Sequence, residues 1–296
     1  MTTTNVLHLS ARDQIGGAAR ATYRIHQSLS EIDVDSNICV QKRTTDETSV
    51  YGPTGFIGAL YDGIRRKVDQ LPLIRYRDRD PELFSPAWLP EHLATRVDRV
   101  DPDLIHLHWV AGGFLKPATV RGFPQPIVWT LHDMWPFTGG CHYAKDCERY
   151  TESCGSCPHL GSRIEDDLSR RVFRSKNKAL DGLDIRVVAP SAWLARQAER
   201  SSLLGGYPIE TIPNPVDTEQ FRPQKSNGLR QQLGLASEKL LIGTGADRTT
   251  RRKGIDLFFE AIEELSVPAS EAELVLFGRT DSAARTGTKY DLNVTG

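Results

Sequence analysis

The sequence predicts an α/β protein with one complete domain built on a parallel sheet and part of a second domain of the same kind. Short β-rich runs alternate with longer amphipathic patterns, which is typical of parallel strands joined by crossover helices. A stretch rich in proline, asparagine and other turn formers, residues 212–228, interrupts this alternation. We therefore predict domains over residues 1–222 and 223–296.

The strand candidates are short runs of branched and aromatic residues. The first domain offers NVLHLS, DLIHLHWV, PIVWTLHD, DIRVVAPS and IETIPNP, and the second offers KLLIGTGAD and AELVLFGR. The helix after NVLHLS is predicted to carry Ala21, Ile25 and Leu29 on its apolar face. The helix GIDLFFEAIEEL of the second domain places five apolar residues on one face: Ile255, Phe258, Phe259, Ile262 and Leu265. Residues 61–90 are highly charged and predict a surface helix and loop rather than core.

Composition excludes several classes of protein. The formal net charge is -1, from 37 basic and 38 acidic residues, so no overall field attracts nucleic acid or anionic lipid. The amino terminus lacks the pattern of a signal peptide, and no apolar run approaches the roughly twenty residues of a membrane span. We expect a cytoplasmic protein without a nucleic-acid partner.

Gly16 and Gly17 lie between the first predicted strand and the first predicted helix. Glycine lets the backbone approach a ligand closely, and a helix amino terminus offers free N–H groups to a phosphate. A turn without a ligand explains so short a signal equally well.

A second loop at an equivalent strand-to-helix turn is rich in basic residues. It contains Arg248, Arg252, Lys253 and Gly254, and its cations suit a diphosphate leaving group. The alternative is a solvated basic loop. The equivalent placement of both loops in two successive units favours the ligand interpretation.

His132 and Asp133 follow the strand candidate PIVWTLHD, in the segment LHDMWPFTGGC. Ligands of open α/β sheets bind at the carboxyl ends of strands, so His132 is a candidate base or sugar contact, or a core histidine. His106 and His108 lie two residues apart on a neighbouring strand and therefore face the same side of the sheet. They either line the same cleft or pack beneath it.

Four of the five cysteines are grouped: Cys141, Cys147, Cys154 and Cys157. Four thiolates can form a tetrahedral zinc site, and the closing C-x2-C spacing is the usual clamp, although the first two spacings are wide. Reduced or disulfide-paired cysteines that pin a loop remain the alternative.

The order of the motifs resembles the glycosyltransferase family 4 enzymes, in particular those that build bacterial polysaccharides. The resemblance runs over nearly the whole chain, on the stretches IGGAARATYRIHQSL, DLIHLHW, VWTLHDMWPFTGGCHY, CGSCPHLG, VVAPSAWLA, IPNPVDTEQFRP and RRKGIDLFFEAI. It implies a GT-B fold, in which two Rossmann-like domains with parallel sheets face a cleft and the second domain holds most of the sugar-nucleotide donor.

The resemblance also implies residue roles. His132 matches the histidine that faces the donor sugar, Gly16 and Gly17 match the loop at the donor phosphates, and Lys253 matches the lysine that binds the diphosphate. Arg248 or Arg252 would supply the arginine that accompanies this lysine. His106, His108 and Asp133 would then lie on the acceptor side. The family's carboxylate pair for the donor ribose has no counterpart before Gly296, so the second domain is expected to be incomplete and this chain inactive.

Together these observations predict a retaining glycosyltransferase that moves a sugar from a nucleotide-diphosphate donor to a glycan or lipid-linked acceptor in polysaccharide biosynthesis. Retention is implied by the resemblance, because the residues alone also allow His132 to be the base of an inverting reaction. No cofactor is required for catalysis, zinc would be structural, and peripheral association with the inner face of the membrane is compatible with such acceptors. The alternatives are a sugar-nucleotide epimerase of the same fold and a non-catalytic glycan-binding or zinc-stabilised module.

Overall fold

The computed structural model describes residues 3–53, 55–223, 228–245, 251–278 and 288–295. The chain divides into two compact units, Met1–Asp217 and Thr218–Gly296. The sequence places the corresponding boundary after residue 222, within the same turn-rich segment.

The first unit is built on a seven-stranded sheet. Its strands are β1 (Asn5–Arg12), β2 (Asp35–Lys42), β3 (Val50–Tyr51), β4 (Leu104–Leu107), β5 (Ile127–Thr130), β6 (Ile185–Ala189) and β7 (Ile209–Thr211). Their order is β3-β2-β1-β4-β5-β6-β7, and every pairing is parallel. The interior of β1 is continuously buried, as expected for a parallel strand that is covered on both faces.

The helices of this unit are α1 (Gly17–Ser30), α2 (Gly55–Asp69), α3 (Leu93–Val100), α4 (Pro117–Val120), α5 (Leu168–Leu180) and α6 (Ala192–Glu199). Asp167 and Ser191 cap α5 and α6 by accepting hydrogen bonds from backbone N–H groups of the first turn. Helix α1 buries Ala19, Thr22 and His26, which are spaced for one helical face. Ala21 is buried as predicted, whereas Ile25 is only partly buried because the face turned to the sheet is the one that carries His26.

The second unit contains α7 (Leu229–Gln232), β8 (Leu240–Gly245), α8 (Ile255–Glu263), β9 (Ala272–Phe277) and β10 (Asp291–Thr295). Its three strands form a parallel sheet in the order β10-β9-β8. Ile255, Phe259 and Ile262 of α8 are buried against β9, which confirms the apolar face predicted from the sequence.

The seven predicted strands are all present, but β2, β3 and β10 were not predicted. Strand β2 was missed because its sequence is polar. The side chains of Ser36, Asn37 and Gln41 are nevertheless buried, and each has a hydrogen-bond partner. The prediction for residues 61–90 was wrong in part. Leu73, Phe84 and Ser85 are buried, since Phe84 pairs with Cys141 in an isolated bridge and brings this segment against the cysteine loop.

Within the described residues, no helix is long and apolar enough to cross a membrane.

Candidate functional site

The strand order of the first unit reverses between β1 and β4. The chain proceeds from β1 outward to β2 and β3, and then returns to place β4 on the other side of β1. The connections that leave the carboxyl ends of β1 and β4 therefore diverge and leave a crevice between them. Open α/β sheets bind ligands at such a switch point, which makes this edge the candidate site.

A cavity of about 260 Å³ opens at this edge. Gly16 and Gly17 line it together with Trp109 and Asp133, which follow β4 and β5. Gly16 is the cap of α1 with φ +98°, a left-handed conformation that glycine adopts without strain. A Cβ atom built at Gly17 would meet nothing within 4 Å, so the loop leaves open space at the amino terminus of α1. The predicted loop is therefore placed where its N–H groups can contact a ligand.

Two arginines bring positive charge to the same cavity. Arg12 lies at the end of β1 and forms an ion pair with the buried Asp62 of α2 at 2.8 Å. Asp62 also accepts a hydrogen bond from Gln41 at 2.9 Å, which fixes its position. Arg66, one turn further along α2, is exposed and lines the cavity. Arginine and a helix amino terminus together suit an anionic ligand such as a phosphate.

Asp133 organises the loop that follows β5. Its Oδ2 accepts hydrogen bonds from Trp109 Nε1 at 2.8 Å and from His142 Nδ1 at 2.6 Å, and its Oδ1 accepts one from Trp135 N at 2.9 Å. Burial would raise the pKa of Asp133, but these contacts outweigh it and hold the pKa below its usual value. Asp133 is therefore an ionised hub at the cavity wall.

His142 continues this network into the interior. Its Nε2 lies 2.9 Å from Oγ of Ser85, so serine, histidine and aspartate are arranged as in a hydrolase triad. Ser85 and His142 are both fully buried, however, and no substrate can reach the hydroxyl. The arrangement joins residues 85, 133 and 142 into one folded loop, and it has no role as a nucleophile.

Lys176 of α5 holds the other side of this loop. Its fully buried ammonium donates hydrogen bonds to the carbonyl oxygens of Trp135 and Thr138, and it lies 3.8 Å from the centre of the Trp135 ring. Burial lowers the pKa of Lys176 to about 7. The segment from Met134 to Thr138 is thus fixed from both ends, by Asp133 and by Lys176.

His132 lies at the carboxyl end of β5, partly exposed, as the sequence predicts. Its Nε2 lies 3.1 Å from Nδ1 of His108. Burial lowers the pKa of His132 to about 4, with a smaller opposing effect from Asp133, so the ring is neutral at pH 7. A neutral imidazole can position a hydroxyl group by accepting or donating a hydrogen bond.

His106 and His108 lie beneath this edge rather than on its surface. Both are buried, and Nε2 of His106 lies 2.8 Å from Oγ1 of Thr130. Among the described residues, the group whose candidate ligand atoms all lie within 4.8 Å of one another consists of His8, His106 and His108. Contact of His106 and His108 with an acceptor stays a prediction, because both are buried and only His108 is hydrogen-bonded to His132.

The predicted cysteines surround one small cavity of about 10 Å³, together with His159. All five cysteines of the chain are free thiols. The four grouped sulfur atoms do not form a set of three within 4.8 Å, so a metal would have to draw them together. Burial raises the pKa of the Cys141 and Cys157 thiols, and it raises that of Cys154 to about 12.

The predicted diphosphate-binding residues belong to the second unit. Arg252 and Lys253 are exposed and lie in a short 3-10 helix, Arg251–Lys253, directly before α8. Gly254 caps α8 in a left-handed conformation with φ +68°. Arg248 lies outside the described residues. The predicted strand-to-helix position of Lys253 is confirmed, whereas its role stays a prediction.

A larger groove of about 730 Å³ lies on the first unit and is lined by Asn5 and Asp35, the first residues of β1 and β2. We place the functional site at the smaller cavity, because the switch point, the glycine loop and His132 meet at the carboxyl edge.

Sequence reasoning missed Arg12, Arg66, Trp109 and Tyr143 as cavity residues. The position of Trp109 could have indicated a cavity residue, since Trp109 directly follows the histidine pair on a predicted strand. Nothing in the sequence indicated Arg66, because its segment has the pattern of a charged surface.

Comparison with known proteins agrees with this geometry. The sequence profile described as Glycosyltransferase Family 4 matches residues 15–220. A protein of Escherichia coli K12 assigned to colanic acid biosynthesis as a glycosyl transferase, WcaC, is 24% identical over 236 residues, which cover 72% of this chain and 55% of that protein. The chain therefore spans little more than half the length of this curated relative.

Solved structures show the same fold. WaaG, a glycosyltransferase involved in lipopolysaccharide biosynthesis, matches with a TM-score of 0.56 and 13% identity, over 98% of this chain and 70% of WaaG. Anabaena Alr3699/HepE, in complex with UDP-glucose, matches with a TM-score of 0.54 and 16% identity, over 98% of this chain and 68% of that one. These matches confirm an α/β fold of the GT-B type.

Proposed function

The chain belongs to Glycosyltransferase Family 4, and on this premise we propose that it transfers a sugar from a nucleotide-diphosphate donor to a glycan or lipid-linked acceptor in polysaccharide biosynthesis. The observation that carries the proposal is the cavity at the switch point, which is lined by Gly16, Gly17 and Asp133, with His132 next to Asp133 at the same edge of the parallel sheet. The names of the relatives, which include a colanic acid protein and a UDP-glucose complex, support the substrate class.

In the proposed reaction, the bond between the anomeric carbon and the diphosphate breaks while an acceptor hydroxyl attacks that carbon. Positive charge at the diphosphate stabilises the leaving group, and we assign this role to Lys253 with Arg252 or Arg248. The departing diphosphate takes the proton of the acceptor hydroxyl. His132 is neutral, so its proposed role is to hold a hydroxyl of the sugar rather than to carry charge.

We further propose that the reaction retains the configuration at the anomeric carbon. This expectation follows from the family resemblance, and proton NMR of the first product formed tests it directly. Product with the opposite anomeric configuration would make the reaction inverting and would return His132 to the role of a base.

We propose separately that the four cysteines bind a structural zinc ion. They suit it in chemistry, because they bring four soft sulfur ligands from one loop around a cavity of about 10 Å³, although zinc would have to draw the sulfur atoms closer together. Such an ion would fix the loop between Cys141 and Cys157, and both of these cysteines belong to the same apolar cluster as Phe84. Elemental analysis of freshly reduced protein tests this proposal.

Nucleotide release from a panel of nucleotide sugars, measured with and without acceptor, tests the proposed activity. A transferase releases nucleotide faster when acceptor is present. An epimerase would convert the donor without acceptor, and a non-catalytic module would bind without turnover, so either result contradicts the proposal. The expectation that this chain is inactive by itself stays a prediction. If it holds, this assay and the turnover measurements on the variants below use a version of the chain extended beyond Gly296.

A further inference from the structure

A row of hydrogen-bonded polar side chains crosses the sheet beneath α1. From the cavity edge inward, the row joins His132 to His108 at 3.1 Å, His108 to His8 at 2.9 Å and His8 to Ser36 at 3.0 Å. Ser36 is 2.8 Å from His26, which in turn lies 3.2 Å from Ser49. We call these six residues the imidazole row: His132, His108, His8, Ser36, His26 and Ser49.

Strand register explains how a row forms from distant residues. His8 on β1 pairs with His106 on β4, so His108, two residues further along, lies on the same face beside His8. Ser36 pairs with Val6 on that face, and His26 reaches it from α1. The row therefore replaces apolar packing between α1 and the sheet with a continuous set of hydrogen bonds.

The atoms that meet in the row follow one rule. Nε2 of His132 faces Nδ1 of His108, and Nε2 of His108 faces Nδ1 of His8. Nε2 of His8 faces the Ser36 hydroxyl, and the same hydroxyl faces Nδ1 of His26. Every link between two rings thus runs from an Nε2 atom to an Nδ1 atom, directly or through one hydroxyl group.

The rings are neutral, which makes this rule restrictive. Burial lowers the pKa of His8, His26 and His108, and charge on neighbouring histidines lowers it further for His8 and His108. A neutral imidazole carries one proton, so one ring nitrogen donates and the other accepts. The Ser36 hydroxyl has one proton and two lone pairs, so it can donate to one ring or accept from both. His132, His108 and His8, which are joined directly, must therefore share one tautomer, either Nε2–H or Nδ1–H.

We propose that the imidazole row holds His132 in the Nε2–H tautomer and so presents its Nδ1 as a hydrogen-bond acceptor. The Nε2–H form is the more stable tautomer of a neutral histidine side chain, and three coupled rings add their preferences. Nδ1 is also the His132 nitrogen that the row does not use. His8, His26, His108 and Ser36 are then positioning residues that act through His132.

This proposal rests on the proposed function only for the ligand, which would be a sugar hydroxyl that donates to Nδ1. The tautomer itself is a property of the protein without ligand. Absence of sugar transfer would therefore not contradict the proposed tautomer of His132. A different tautomer of His132 would likewise not contradict the proposed sugar transfer.

Ser36→Ala and Thr130→Val form a matched pair of variants. Each removes one hydroxyl from the same face of the sheet, and both hydroxyls contact a buried histidine. Ser36 is in the row, whereas Thr130 contacts His106, which is outside it. Thr130 is also two residues from His132, so a general disturbance of packing would affect His132 more in Thr130→Val.

The experiment records two-bond proton–nitrogen correlations of the histidine rings in the full chain labelled with ¹⁵N-histidine. His132→Gln assigns the His132 signals by their loss. Wild type and Thr130→Val should show the Nε2–H pattern for His132. Ser36→Ala leaves the Nε2–H of His8 without an acceptor, which should raise the Nδ1–H to Nε2–H ratio of His132 about tenfold or more, and Ser36→Thr should restore it.

Equal spectra for Ser36→Ala and Thr130→Val would overturn the proposal. So would an Nδ1–H pattern for His132 in wild type, a result that needs only the His132→Gln assignment and decides the matter if Ser36→Ala fails to fold. A divalent ion bound by His8, His106 and His108 would replace the His8–His108 hydrogen bond with coordinate bonds. Spectra that change when a chelator is added would therefore also contradict it.

Discussion

Replacement of Asp133 by alanine should destabilise the first unit strongly. The carboxylate accepts three hydrogen bonds, from the side chains of His142 and Trp109 and from the backbone of Trp135. Asp133→Ala leaves all three donors without this partner. Trp109 lines the cavity, where water can replace the carboxylate, but the other two donors are buried.

A buried donor that loses its partner lowers the free energy of unfolding by about 1–3 kcal/mol, so two such donors lower it by about 2–6 kcal/mol. The total free energy of unfolding of a native protein is about 5–15 kcal/mol. The variant should therefore lose a large fraction of its stability. Asp133→Asn keeps one acceptor oxygen but turns an amide N–H₂ toward a donor, so we expect an intermediate loss.

Urea unfolding followed by tryptophan fluorescence measures the effect. All five tryptophans, at positions 88, 109, 129, 135 and 193, belong to the first unit, so the signal reports that unit alone. Asp98→Ala is the matched control, because Asp98 is an exposed carboxylate on α3 and should change stability by less than about 0.5 kcal/mol. An Asp133→Ala midpoint indistinguishable from that of Asp98→Ala would refute the assignment of Asp133 as the hub of the loop.

Three further predictions concern pH, donor binding and metal. Burial lowers the pKa of His106 to about 3, below the 6.5 of an exposed histidine. The unfolded chain therefore binds more protons, and the free energy of unfolding should fall as the pH drops from 6.5 toward 4. His106→Gln should reduce this pH dependence in unfolding curves. Lys253→Ala should weaken donor affinity by about 1.5–3 kcal/mol in calorimetry, whereas Lys178→Ala, at an exposed position, should not change it. Equal donor affinities of the two variants would indicate that the basic loop is a solvated surface. The zinc content of wild type should be about one ion per chain, and Cys157→Ser should lower both this content and the stability of the fold without changing turnover. Freshly reduced wild type that contains no metal would contradict the zinc site.

The fold class was predictable because parallel strands buried on both faces leave a plain signal. β1 and β5 are short runs rich in apolar residues, and each lies where the sequence predicts it. Strand β2 was missed because its buried polar residues satisfy one another across the sheet. Polarity along a single sequence does not show whether such groups face water or a partner.

The site was predictable in its loops and less so in its interior. The positions of Gly16, Gly17 and His132 were predictable because each follows a strand that the sequence predicts, whereas their roles stay predictions. The spacing of His106 and His108 gave their common face correctly. Their link to His8 and His26 depends on the pairing of β1 with β4 and on the placement of α1, which no local pattern encodes. Ser85 was predicted to be exposed because its segment is charged, although its partner His142 buries it.

Gly17→Ala compared with Gly206→Ala tests most directly whether the switch-point cavity is the site of sugar transfer. A Cβ at either position meets nothing within 4 Å, so both variants should fold, but only Gly17 lines the cavity. We predict that Gly17→Ala lowers acceptor-dependent nucleotide release by about tenfold or more, because the methyl group blocks the close approach of a ligand to the amino terminus of α1. Gly206→Ala should match wild type. Equal release from the two variants would contradict the claim that transfer takes place at this cavity.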